Sequence, residues 1–464
     1  WSVEANFEHM PGVISAVSGF AGGRGASPTY DQVVRGRTGH EVRLPATALE
    51  QDDVDAYAAA LLGRPLTAPS AAQVALLKSR RVRATLEGLN LSQADLLEAS
   101  LPSNIDLTSS VRWPHHGGGV NAEMELAGDV VNWLMLPLRR KLALKDYEAA
   151  KRRVSHEILD VVFEVKEAFY EVQAQQQFLH RLETAAEING VTADIAQRLR
   201  KAGNISELEL LQEQTNQQQA TLDLRRTQGA LATAREKLSR LLGLTSAESS
   251  RWRPAGNFPS MPGGEPASAR AEAIAVAQRQ DLAAQGEVVA ALEMGDSLTR
   301  KLRLLPALNL GGNTESDTDG SRVSGPTMSV ELPLFNWGQG RVRRSAAELA
   351  QARAAYEALE LEVRSDVRTA LAQLQAARTV RAQIAGNVLP QRQRILRETL
   401  LQYNAMQVSN FVLLRAKEDE VKAQHDLIEA QRDYWIARAH LEKAVGGSLN
   451  SPAQGKTSVG VHAH

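Results

Sequence analysis

Apolar residues recur along most of this chain in steps of four and three, and the pattern occurs twice. Ile158, Val162, Val165, Phe169 and Val172 form one stripe, and Leu349, Ala352, Tyr356, Leu359 and Val363 form the other. That spacing collects side chains on one face of a helix and makes a coiled-coil seam when sustained. From about Lys141 to Arg200 only Gly190 interrupts the run, which predicts a helix on the order of 90 Å long at about 1.5 Å per residue. Returning helices are predicted from about Ser206 to Leu242, where Leu224, Leu231 and Leu238 repeat, and from about Ser409 to Val445.

Other stretches alternate with a period of two. Leu107 to Trp113 and Val120 to Leu138 read as strand-like, separated by the turn sequence PHHGGG, and Met124 and Leu126 alternate with Glu123 and Glu125. In the second half Leu308 and Leu310 precede a polar loop, GGNTESDTDGSRVSG, which is followed by Met328, Val330, Leu332 and Leu334. Each half therefore offers a hairpin with one apolar and one polar face, a pattern shared by soluble sheets and by membrane barrels.

Landmarks repeat in order: Leu101 with Leu305, Pro137 with Pro333 and Gly243 with Gly446, at offsets of 204, 196 and 203 residues. The body is thus one architectural unit used twice. Residues 44–250 are expected to be the first repeat, 251–268 a Pro/Gly-rich linker, 269–447 the second repeat and 448–464 a disordered tail. Within the first repeat, Leu44 to Thr67 reads as a mixed connector. A helix follows from about Ser70, the expected N-cap, to Ser100, where Pro102 stops it. Ala269 to Lys301 is its second copy.

Composition narrows the functions available. A formal net charge of −1 gives no basic excess for nucleic acid. With no cysteine in the chain, thiol catalysis, disulfides and thiolate metal sites are excluded. No apolar run reaches about 18 residues, so no transmembrane helix is expected; this leaves barrel strands possible. His115 and His116 in the first strand loop, and His462 to His464 in the tail, read as solvated residues, so neither a metal site nor a cofactor is expected. GGRG at Gly22 to Gly25 lacks the strand-to-helix context of a phosphate loop.

Residues 1–43 read differently, as a Gly- and turn-rich segment too short to bury a core. They resemble the A-type peptide methionine sulfoxide reductases. Trp1 matches the Trp that follows the family's nucleophilic cysteine, and Tyr30 matches a tyrosine that helps bind the sulfoxide oxygen. TGHE at Thr38 to Glu41 resembles the motif carrying the catalytic acid, Glu41, with one residue missing. Sulfoxide reduction by this route needs a thiolate, so the segment is expected to be inactive and loosely attached, a remnant or a gene-joining artefact. No export signal is visible in the chain; a leader or lipid anchor would lie further upstream.

Residues from about 66 to 447 resemble the TolC family of outer-membrane efflux proteins. The resemblance rests on LAGDVVNWLMLPLRRKLA and VELPLFNWGQGRV at the two strand-to-helix turns. RLRKAGNISELELLQEQ and YNAMQVSNFVLLRAKEDEV supply the two helical-hairpin tips. It implies a mainly α fold with a small β part: long antiparallel coiled-coil helices forming an α-barrel, and four membrane β-strands per subunit. It further implies a homotrimer with a twelve-stranded barrel in outer-membrane lipid, a tunnel through the periplasm, and docking to a periplasmic adaptor protein and an inner-membrane pump. The second tip and PLRRKLA are most similar to the heavy-metal branch, so the cargo is expected to be small molecules or metal ions.

A conduit needs no catalytic residues. The expected docking residues are Ala202, Gly203, Asn204, Ser206 and Leu208 at one tip, and Tyr403, Asn404, Ala405, Met406, Gln407, Val408 and Ser409 at the other. Gly203 is expected to take a left-handed conformation, with Ser206 and Ser409 capping the returning helices. Two other readings remain at this stage: an inactive reductase fragment, and a soluble coiled-coil scaffold.

Overall fold

The computed structural model describes residues 20–21, 41–42, 48–113, 119–302, 308–317, 319–330 and 335–447. Trp1, Tyr30, His115, His116 and the tail 448–464 lie outside the described residues, as does most of the reductase-like segment. Phe20–Ala21 (β1) and Glu41–Val42 (β2), which includes Glu41, form a short antiparallel pair.

Helix dominates, as the stripes predict. The helices are α1 (Ala48–Leu62), α2 (Ala68–Lys78), α3 (Arg80–Ser100), α4 (Val130–Lys201), α5 (Glu207–Leu242) and the single turn α6 (Ser246–Ser249). The second half gives α7 (Ser268–Gln278), α8 (Gln280–Lys301), α9 (Gln339–Gln383), α10 (Leu389–Asn404) and α11 (Asn410–Val445). Ile384–Val388 between α9 and α10 is a π turn. Pro390, just beyond it, cannot donate to the carbonyl four residues back, and a widened turn absorbs that loss.

The structure corrects several expectations. Leu44 to Thr67 is not merely a connector, because α1 occupies most of it. The single helix from Ser70 is two helices, and its cap is Thr67, whose hydroxyl accepts the Ser70 amide at 3.3 Å. Ser70 instead completes a capping box by accepting the Thr67 amide at 2.8 Å. The first long helix begins at Val130 rather than near Lys141 and contains Pro137. Val130 to Leu138, expected to continue the strand, is therefore helical.

Duplication extends to backbone detail. α2 and α7 each have 11 residues and end on extended caps, Ser79 and Arg279. Helices α5 and α11 each have 36 residues and end on left-handed glycines, Gly243 at φ 74° and Gly446 at φ 78°. At Gly243 a side chain is excluded twice over: by its φ, and because a Cβ would lie 2.3 Å from the Lys78 carbonyl oxygen.

The chain divides into two compact units, each taking segments from both repeats. One comprises Leu86–Ser155 and Gln280–Leu361 and contains a four-stranded sheet. The other comprises Trp1–Thr85, His156–Arg279 and Glu362–His464. Its core includes Phe169, Val172, Leu238, Leu242, Trp252, Leu374, Tyr434 and Leu441. Trp252 is fully buried, donates to Ser239 Oγ at 3.2 Å and lies under the Arg235 guanidinium, 4.2 Å from the ring centre.

Candidate functional site

In the smaller unit, β3 (Asp106–Arg112), β4 (Asn121–Asp129), β5 (Leu308–Ser316) and β6 (Arg322–Val330) form one antiparallel sheet in sequence order. β5 and β6 extend through most of the segment expected to be a polar loop, so the turn between them is short. Register sorts the side chains onto two faces, because successive residues of a strand alternate. Leu107 pairs with Leu126, Leu310 with Met328, and Leu308 with Val330. Met124, Val111 and Pro326 join them; the same face carries Ser109, Thr314, Ser324 and Arg322 toward the loop ends, and its apolar Leu107, Met124, Leu126, Leu310 and Met328 are all exposed in the single chain.

The opposite face carries Asp106, Thr108, Ser110, Arg112, Asn121, Glu123, Glu125, Asp129, Asn309, Asn313 and Glu315. Glu123 and Glu315 stand directly opposite each other across β4 and β5, an arrangement that repels unless neighbours intervene. Asn313 donates to Glu123 Oε1 and Asn121 to Glu315 Oε1, both at 2.7 Å. Arg112 approaches Glu123 at 3.4 Å. The face is thus acidic and held by amide donors. Beyond the strand ends, Trp113, Trp133, Phe335 and Trp337 are exposed, in the manner of interfacial aromatic belts.

The larger unit carries both helical-hairpin tips. At the first, Gly203 takes φ 78°, Asn204 N donates to Leu199 O at 2.9 Å, and Ser206 starts α5. Ser206 Oγ accepts the Glu209 amide at 3.2 Å while Glu209 Oε2 accepts the Ser206 amide at 2.7 Å. These bonds, the amide foremost, hold the exposed Glu209 carboxyl below its usual range. At the second tip Met406 takes φ 58°, and Gln407 N donates to Gln402 O at 2.9 Å. Ser409 has the same backbone angles as Ser206, φ −76° and ψ 162°, yet its hydroxyl makes no cap bond. The expected side-chain cap is therefore present at Ser206 and missing at Ser409, where Val412, three positions on, also cannot return the reciprocal bond that Glu209 makes to the Ser206 amide. Met406 was expected at this tip but not in a left-handed conformation; the repeat offset that aligns it with Gly203 is the signal. Ala202, Asn204, Leu208, Asn404, Ala405 and Gln407 are exposed, Tyr403 is exposed and Val408 half-buried.

The outer membrane efflux protein family model matches residues 117–244 and 272–447. The chain belongs to the outer membrane efflux protein family. Solved structures agree in fold. The CmeC outer membrane channel of Campylobacter jejuni superposes with a TM-score of 0.70 at 17% identity, covering 86% of this chain and 88% of that one. CusC, a transmembrane channel former, gives 0.68 at 17% identity over 82% and 92%. The MtrE outer membrane channel of Neisseria gonorrhoeae gives 0.65 at 17% identity over 82% and 89%.

Residues 1–44 match a second family, peptide methionine sulfoxide reductase. The reductase of Rhodospirillum centenum is 52% identical over 40 residues, 9% of this chain and 18% of that protein. The reductase of Methylococcus capsulatus is likewise 52% identical over 40 residues, again 18% of its length. The chain thus spans about a fifth of these reductases. The matches place the protein with efflux channels rather than with enzymes, as an outer-membrane channel component of an efflux system.

Proposed function

We propose that three copies of this chain close their four-stranded sheets into one twelve-stranded barrel in the outer membrane, with the long helices continuing as a tunnel through the periplasm. The observation that carries this reading is the sheet itself. Its two edge strands, β3 and β6, have no further strand beside them among the described residues. Four strands are too few to close alone, since single-chain barrels have about eight or more. A symmetric assembly pairs both edges at once. Lipid then covers Leu107, Met124, Leu126, Leu310 and Met328, and the acidic face lines the aqueous path.

The two tips dock a periplasmic adaptor that couples the conduit to an inner-membrane pump. Leu208, 65% exposed, and Met406, 94% exposed, supply apolar contact area there, framed by Gly203, Asn204, Gln407 and Ser409. The chain performs no bond chemistry. It holds a wet path and opens at one end.

Acid lining makes the lumen prefer cations, because fixed carboxylates concentrate counter-ions along a narrow path. The protein is reconstituted in a planar bilayer under a potassium chloride gradient. Discrete channels are expected, with a reversal potential on the potassium side. Glu123→Gln with Glu315→Gln moves that potential toward zero. Absence of conductance, or a reversal potential unmoved by the double variant, contradicts the assignment of this face to the pore.

A further inference from the structure

One cluster of ligating side chains lies outside the parts assigned to conduction. On α11, His425, Asp426 and Glu429 bring an imidazole nitrogen and two carboxylate oxygens within 4.8 Å of one another. Residues i and i+4 share a helix face, so His425 and Glu429 form the natural jaws, and Asp426 closes one side. All three are half-buried.

The imidazole is positioned by packing. Its ring stacks on Phe178 of α4 with centroids 3.9 Å apart and planes 13° from parallel. Phe178 is 4% exposed and belongs to a small apolar cluster with Ala174 and Ile428, against which Phe258 packs. A ring held this way keeps its nitrogens free to bind. Among the described residues, neither His425 nor Asp426 has a hydrogen-bonding or ion-pairing partner. Glu429 accepts a single bond, at Oε1 from Arg432 at 3.1 Å. That arginine is already bound by Asp433 at 2.8 Å and faces Glu171 at 3.5 Å, so its charge does not depend on Glu429. Charged groups elsewhere on these helices are widely paired, for example Lys166 with Glu442 and Arg392 with Asp419. Asp426 is instead unpaired, and it stands beside a packed, unbonded histidine.

We propose that His425, Asp426 and Glu429 bind one first-row divalent cation, zinc being the best fit. One nitrogen and two carboxylate oxygens suit zinc, whose four-coordinate sites accept water as the remaining ligand. The site uses side chains of one helix and a ring from another, and it stands whether or not the chain conducts.

The test is zinc titration by calorimetry of the full chain purified in detergent, with cobalt absorption as a second readout. His115, His116 and His462 to His464 can also take up metal, so the deciding quantity is the difference between variants. The wild-type chain is expected to bind one more equivalent of zinc than His425→Gln, and than Asp426→Asn combined with Glu429→Gln, with affinity at that site falling more than tenfold in each. The carboxylate pair leaves the Phe178 stack intact, so it decides the matter if His425→Gln folds poorly. Equal stoichiometry and affinity in wild type and the double variant, with binding lost only on removal of the other histidines, overturns the proposal.

Discussion

Glu248 shows how a single carboxylate ties distant parts of the larger unit together. It pairs with the Lys78 ammonium at the end of α2, and Lys78 also meets Asp55 at 3.3 Å. Burial alone would raise the Glu248 carboxyl, but the Lys78 ammonium and the amide and hydroxyl of Thr245 outweigh it and hold the group at about 2. A carboxyl lowered on folding stabilises the native state above its unfolded value, and that contribution disappears as pH falls through the folded value. Between about pH 4.5 and pH 2 the chain should therefore lose on the order of 2–3 kcal/mol from this group. Denaturant titrations across that range, compared with Glu248→Gln, check it: the variant should start less stable near neutrality and lose less on acidification. Parallel curves would mean that Glu248 does not carry the effect. The sequence made other residue-scale features legible only in part. Ser206 and Ser409 both read as caps, yet only Ser206 makes the side-chain bond. His425 does not stand out in the sequence, because its value lies in the unpaired Asp426 and the Phe178 ring, which composition and spacing do not reveal.

Among the elements, the segment joining the two repeats is the least legible from sequence. Arg251 to Ala267 reads as a Pro/Gly-rich linker, yet it is bound along its length by helix side chains. Gln173 donates to Ala255 O at 2.8 Å and to Asn257 O at 2.7 Å. Glu265, whose side chain is 6% exposed, is the hub. It accepts Tyr434 Oη at 2.7 Å, Arg378 at 3.1 Å and Arg438 at 3.2 Å. Burial, then the Glu265 hydrogen bond, pushes the Tyr434 hydroxyl up to about 12. Removing one member of a buried charged network strands the others, at a cost of about 3–5 kcal/mol. Glu265→Ala should lower the unfolding free energy by that amount, and Tyr434→Phe by about 1 kcal/mol. A Glu265→Ala protein as stable as wild type in chemical denaturation would remove the hub from the account. The helices themselves were legible because their stripes are long and nearly free of breakers. Their ends were less so: Pro137 lies inside α4, and the helix starts earlier, just after Asp129, whose carboxylate accepts the Asn132 amide at 2.9 Å.

For the whole molecule, the strand register is what turns an alternating sequence into a membrane argument. Alternation alone left a soluble scaffold open. The pairing of Leu107 with Leu126 and Leu310 with Met328 puts exposed apolar side chains on a sheet whose two edges are free among the described residues, and the family match agrees with it. What alternation could not supply is the number of copies, since closure happens between chains. The most direct test is the mass of the full chain extracted from outer membranes in mild detergent, by light scattering corrected for bound detergent. The trimeric barrel is expected to give three chains per particle and to precipitate when detergent is removed. A monomer or dimer that stays soluble without detergent would contradict it.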